Sequence, residues 1–143
     1  MAQFSDMSSV PIRWTRKRPW YVLAIICVIA TGLASRRYSG VFPAVLGKYP
    51  GDALWTLMVF LGWGVVFPKS STLRVLAYAL ATSYLVEFLK LYQSPWAVSI
   101  RGTTLGHLVF GHVFSWQNLV AYTAGAAIGA LAERWLLPPK CEI

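Results

Sequence analysis

The sequence predicts an all-α, polytopic membrane protein with four transmembrane helices plus a short interfacial or re-entrant helix near 104–114. Three observations predict it. Of the 143 residues 57% are hydrophobic and 13% charged, with a mean hydropathy of +0.54, where a soluble domain carries about 25% charged residues. The apolar residues fall into runs close to the ~20 residues that span a bilayer. The 13 Lys and Arg outnumber five acids for a net charge of +8, and they sit at the edges of those runs, where basic residues orient membrane helices. Nucleic-acid binding would need a dense basic face instead, so no nucleic-acid partner is expected. The same composition excludes disordered and low-complexity classes.

Residues 1–18 form a basic N-terminal segment, with Arg13, Arg16, Lys17 and Arg18 ahead of the first apolar run at 20–34. A basic start, a short apolar core and the small-residue ending Gly32-Leu33-Ala34 also describe a secretory signal peptide, whose removal would leave three spans. Residues 35–51 hold two Pro and three Gly and read as a loop. The second span is expected over 52–67, with Asp52 as N-cap and Pro68 as its stop; Gly62 and Gly64 suit close helix packing. The third span covers 72–92, a loop follows at 93–103, and 104–114 is about half a span long. The last span, 116–137, stops at Pro138 and Pro139. Its Gly125 and Gly129 have the spacing that lets another helix approach closely, so a membrane-protein partner is expected there. A single membrane domain thus occupies 19–137, with a tail at 138–143. Trp20 and Trp135 mark one interfacial belt, and Trp55, Trp96 and Trp116 the other.

Four spans put both termini on one side of the membrane. With termini inside, that side holds Arg13, Arg16, Lys17, Arg18, Lys69, Arg74, Arg134 and Lys140, eight bases against five (Arg36, Arg37, Lys48, Lys90, Arg101). The dense cluster before the first helix decides the orientation: cytoplasmic termini in an inner membrane.

The outer side then collects Arg36, Arg37, Asp52, Glu87, Lys90, Arg101, His107, His112 and Asn118. A lone carboxylate within a span costs about 2.5–3.5 kcal/mol on insertion scales, so Glu87 is expected to have a partner. Arg101, brought near by the short 93–103 segment, is the expected one, with Arg36 or Arg37 as alternatives. Such a pair either fastens a helix end or helps bind a ligand. His107 and His112 are five residues apart and do not share a helix face as an i, i+4 metal pair would, so no metal is expected. No nucleophile elbow, zinc-protease motif or phosphate loop occurs, and no catalytic residue or cofactor is assigned. Cys27 lies in an apolar run and Cys141 near the C-terminus, and no disulfide between them is expected. The tail is not a prenylation box.

One ordered set of residues carries a resemblance: Gly51 and Asp52 with Leu54 and Trp55, then Glu87, Leu91-Tyr92, Pro95-Trp96, Arg101-Gly102-Thr103, Gly106, Gly111, Phe114, Tyr122 and Gly125. Over roughly residues 36–133 the chain resembles a family of small bacterial membrane proteins labelled domain of unknown function 2809, and more faintly VanZ-like proteins. Lys90 stands where a Gln is usual in that pattern and Asn118 where an Asp is usual, which removes an acid from the outer cluster. The resemblance implies a multispan inner-membrane protein and points to the cell envelope. Together with the outer bases, it leads to the first functional expectation, a binder of an anionic lipid or envelope-precursor headgroup at the extracytoplasmic face. The alternatives are a non-catalytic accessory subunit of a larger membrane complex and a lipid-modifying enzyme.

Overall fold

The computed structural model describes residues 16–38, 40, 43, 49–111 and 113–136, and every regular element longer than one turn among them is an α-helix. In chain order these are α1 (Arg18–Arg37), α2 (Tyr49–Val66), α3 (Thr72–Leu89), α4 (Pro95–Gly102), α5 (Thr104–Phe110) and α6 (Trp116–Leu136). Expectations that fall on His112, Lys48, most of the 39–48 loop, the first 15 residues and the tail beyond 136 lie outside the described residues.

Local chemistry sets the boundaries. Pro19 opens α1, where its missing N–H is no loss. The second helix starts three residues earlier than expected because Pro50 is accommodated in its first turn. Asp52 is therefore not the N-cap; it lies within that turn and complements the positive helix end. Ser71 caps α3, its side chain accepting from the Arg74 N–H at 3.4 Å, and α3 ends at Leu89, three residues short of the expected boundary. The expected loop at 93–103 is mostly helix. Ser94 occupies the N-cap position and Pro95 the first helical position of α4, a start signature that overrides the loop-like composition. Thr103 then caps α5 by accepting from the Gly106 N–H at 3.0 Å, and Gly111 ends α5 with φ of +63°, a conformation that favours glycine.

Contacts between helices fix their directions. Tyr21 lies against Gly64 and Arg36 against Gly51, so α1 and α2 are antiparallel. Thr56 donates to Ser83 at 3.2 Å and the Trp63 indole to Thr82 at 3.0 Å, and Tyr78 packs on Trp63 and Phe67; α2 and α3 are antiparallel too. Thr72 meets Glu133 while Tyr122 meets Glu87, which sets α6 antiparallel to α3. The order up, down, up, down returns the chain to its starting end. That end, with Arg16 and Glu133, is called here the near end; the other carries α4, α5 and Glu87.

The core lies between α2, α3 and α6, around Phe60, Val75, Ala79 and Ala130. Small residues on α6 make it possible. Gly125 and Gly129 are both buried against α2, beside the Ala53 backbone and the Phe60 ring respectively. The face expected to receive a second protein is thus covered by this chain's own helix. A methyl group at Gly125 would run into the Ala53 carbonyl, which cannot move without separating the helices, whereas at Gly129 it would meet Phe60 Cδ1 at 2.8 Å, on a ring that can turn. We expect Gly125→Ala to cost about 1–3 kcal/mol from overpacking, and Gly129→Ala less, since alanine's helix propensity returns up to about 1 kcal/mol. Thermal unfolding in detergent, followed by tryptophan fluorescence, should rank the two in that order; equal loss would contradict the packing.

The outside of the bundle is apolar. Leu23, Ile26, Ile29 and Leu33 on α1, Leu73, Leu85 and Phe88 on α3, and Val120, Ile128 and Leu131 on α6 are all exposed. Two helices, α1 and α3, are long and apolar enough to cross a membrane. An apolar perimeter of this extent fits a small membrane protein.

Candidate functional site

The far end is organised by Glu87, in the last turn of α3 with no exposed surface. Its carboxylate accepts four hydrogen bonds. Oε2 takes the Lys90 ammonium and the Tyr122 hydroxyl, the latter at 2.8 Å. Oε1 takes the Ser115 backbone N–H at 2.8 Å and the Asn118 amide at 3.0 Å. Lys90 lies one turn beyond Glu87, the spacing at which helical side chains are neighbours, and it is itself buried against Gly111. Asn118 and Tyr122 stand one turn apart at the start of α6, on the face turned to α3. One carboxylate therefore gathers the end of α3, the link after α5 and the start of α6. Arg36 at the end of α1 lies against Gly51, beside Asp52 in the first turn of α2, which carries polar groups of α1 and α2 to the same end.

Arg101 does not pair with Glu87. It is buried in α4, and its guanidinium donates to three main-chain carbonyls: Ala97 at 3.1 Å, Lys90 at 3.1 Å, and Tyr92. The expected pairing fails because α4 is a helix. The turn that follows α3 presents the carbonyls of Lys90 and Tyr92, Arg101 projects towards them, and Lys90 is already on the carboxylate. Glu87, Lys90 and Asn118 are brought together, and Asp52 and Arg36 lie at the same end. Arg37 and His107 are exposed on the surface.

A second buried acid, absent from the predicted set, organises the near end. Glu133 of α6 accepts from Arg16 through both carboxylate oxygens, with Nε to Oε2 at 2.8 Å. It also accepts from Tyr21 at 2.7 Å and Thr72 at 2.5 Å. Arg16 in turn donates to the Ser70 carbonyl at 2.5 Å and, more weakly, to those of Phe67 and Pro68. Burial alone would lower the Arg16 guanidinium, but the hydrogen bond and charge of Glu133 outweigh it and hold it above its ordinary value. Arg16 is thus no free member of a basic arm. It latches α1, the α2–α3 connection and α6 together. The available sign was the same one that marked Glu87, a carboxylate within an apolar helix.

The family model described as "Protein of unknown function (DUF2809)" matches residues 41–126, more than half of the chain. The chain belongs to the DUF2809 family. The DUF2809 match contains the whole Glu87 cluster, Arg101 and Gly125, whereas Arg36, Arg37 and the Arg16–Glu133 latch lie outside it. No solved structure matches this DUF2809 chain.

Proposed function

We propose that this protein is a non-catalytic, four-span protein of the bacterial inner membrane, with cytoplasmic termini, that holds an anionic headgroup at its outer face. The headgroup is the phosphate of a lipid or of a lipid-linked envelope precursor. Four helices of 18–21 residues are about 27–32 Å long, matching a hydrocarbon core of about 30 Å. The alternating order puts the larger share of bases at the near end, as the positive-inside rule requires of a cytoplasmic side.

The observation that carries the binding proposal is the imbalance of charge at the far end. Glu87 is saturated by Lys90 and three other donors. Arg36 and Arg37, in the last turn of α1, are exposed and make no ion pair among the described residues. The Arg36 side chain crosses Gly51, whose lack of a Cβ gives it room at 3.4 Å. Two exposed arginines in the last turn of α1, at headgroup depth, can each meet phosphate oxygens by paired N–H donation.

Native mass spectrometry from nanodiscs containing phosphatidylglycerol tests this. The parent protein should retain the anionic lipid. Arg36→Gln/Arg37→Gln should lower retention about tenfold or more, since charge-assisted hydrogen bonds contribute about 1.5–3 kcal/mol each, with thermal stability unchanged. Equal lipid retention by both proteins would overturn the proposal. A retained protein subunit in place of lipid would favour an accessory role in a larger complex.

A further inference from the structure

The hairpin of α4 and α5 projects from the far end, and its surface does not suit water. Across 95–110 there is no Lys, Asp or Glu; the ionisable residues are Arg101, which is buried, and His107. Ser99, Thr103, Thr104 and His107 also face outward, but the larger share of the outward positions is apolar. Trp96, Val98 and Ile100 of α4 and Leu105 and Val109 of α5 are exposed, Leu105 by 75%, and Val113 beyond α5 by 70%. The two helices pack on each other, with Gly106 directly beneath the Ile100 carbonyl. Several main-chain groups in and beside the hairpin are also provided for: Arg101 serves the carbonyls of Lys90, Tyr92 and Ala97, and Thr103 serves the Gly106 N–H. Each main-chain group so satisfied lowers the cost of seating a short helix at membrane depth.

The apolar surface of the hairpin is also continuous in sequence with exposed Phe88, Leu89, Leu91 and Tyr92 at the end of α3. Tyr92 and Trp96 pack ring to ring at 6.0 Å across the junction, and aromatic residues of this kind concentrate at the membrane–water interface.

We propose that α4–α5 is a lipid-embedded hairpin, with Tyr92 and Trp96 at the interface and its Val98–Leu105–Val113 side immersed in the acyl region of the outer leaflet. It is not a water-facing cap. The proposal rests on the four-span reading above and adds to it a second, non-spanning membrane contact. The absence of exposed acid or lysine on the hairpin selects lipid as the occupant, because a water-exposed element would need charged or polar residues where these apolar ones stand.

The test uses the full chain in phosphatidylcholine–phosphatidylglycerol vesicles, with Cys27 and Cys141 replaced by Ala and a nitroxide attached at one introduced cysteine. Leu105→Cys, Val98→Cys and Val113→Cys report on the hairpin. Ile128→Cys, mid-way along α6, is the lipid reference, and Lys69→Cys, exposed in the α2–α3 connection, is the water reference. Collision with oxygen, which enters the bilayer, is compared with collision with a water-soluble nickel chelate. The hairpin labels should show an oxygen-to-nickel ratio several-fold above that at Lys69→Cys and near that at Ile128→Cys. Hairpin labels resembling Lys69→Cys while Ile128→Cys stays oxygen-rich would overturn the hairpin proposal alone. Labels shielded from both collision partners would overturn it in favour of a protein contact. A nickel-accessible Ile128→Cys would instead overturn the four-span reading. Three hairpin positions keep the test decisive should one variant fail to fold.

Discussion

Arg16→Met should destabilise the protein by about 3–5 kcal/mol, the cost of leaving a buried charge without its partner. Both side chains of the Arg16–Glu133 pair are almost fully enclosed, 1% and 2% exposed. Removing Arg16 strands Glu133 with only the Tyr21 and Thr72 hydroxyls, and also withdraws a donor from the Ser70 carbonyl. Glu133→Leu should be comparably harmful, because the guanidinium is left bare. The double variant Arg16→Met/Glu133→Leu should cost well below the sum of the two, since neither charge then remains. Chemical and thermal unfolding in detergent would measure this coupling. Strict additivity would show that the pair is a surface clasp, worth about 0–1 kcal/mol.

At the opposite end, Glu87→Leu should be the most damaging change, again by about 3–5 kcal/mol. It leaves four donors without an acceptor: the Lys90 ammonium, the Ser115 N–H, the Asn118 amide and the Tyr122 hydroxyl. Lys90→Met should cost less, because the carboxylate keeps the other three. Arg101→Gln should affect a different property. It frees the carbonyls of Lys90 and Tyr92, so faster hydrogen exchange should appear in 90–102 and leave the amides of α2 unchanged. A Glu87–Arg101 double-mutant cycle is expected to show no direct coupling. Strong coupling there would contradict the observed division of labour, in which Lys90 holds the acid and Arg101 the main chain.

The four long helices were legible because each apolar run ends in proline, a charge or a small-residue turn. Glu87 stood out as a carboxylate in such a run, and Asn118 was placed beside it. Glu133 gave the same sign but adjoins Arg134 at a helix end, where an acid next to a base attracts no notice. Its true partner is 117 residues away, a distance no local pattern expresses. The short 93–103 segment points to Arg101 as the partner of Glu87, but proximity along the chain does not say which acceptor the guanidinium takes, and the carbonyls of Lys90 and Tyr92 take it. The Ser94-Pro95 start of α4 was present in the sequence, but a surrounding run of Gln, Ser and Gly masked it. Gly125 and Gly129 announced a close helix contact, though only the packing identifies α2 as the helix concerned.

The Arg16 latch has a consequence for the order in which the molecule is made. Arg16 leaves the ribosome 117 positions ahead of its acceptor Glu133. Throughout that interval the guanidinium must stay hydrated at the membrane surface, because the carboxylate that compensates its burial does not yet exist. The first helix is therefore only loosely seated on the second until α6 arrives, and closure at the near end has to wait for it. A nascent chain arrested just before Glu133 should leave the 16–21 segment open to protease, and extension by a few residues should seal it.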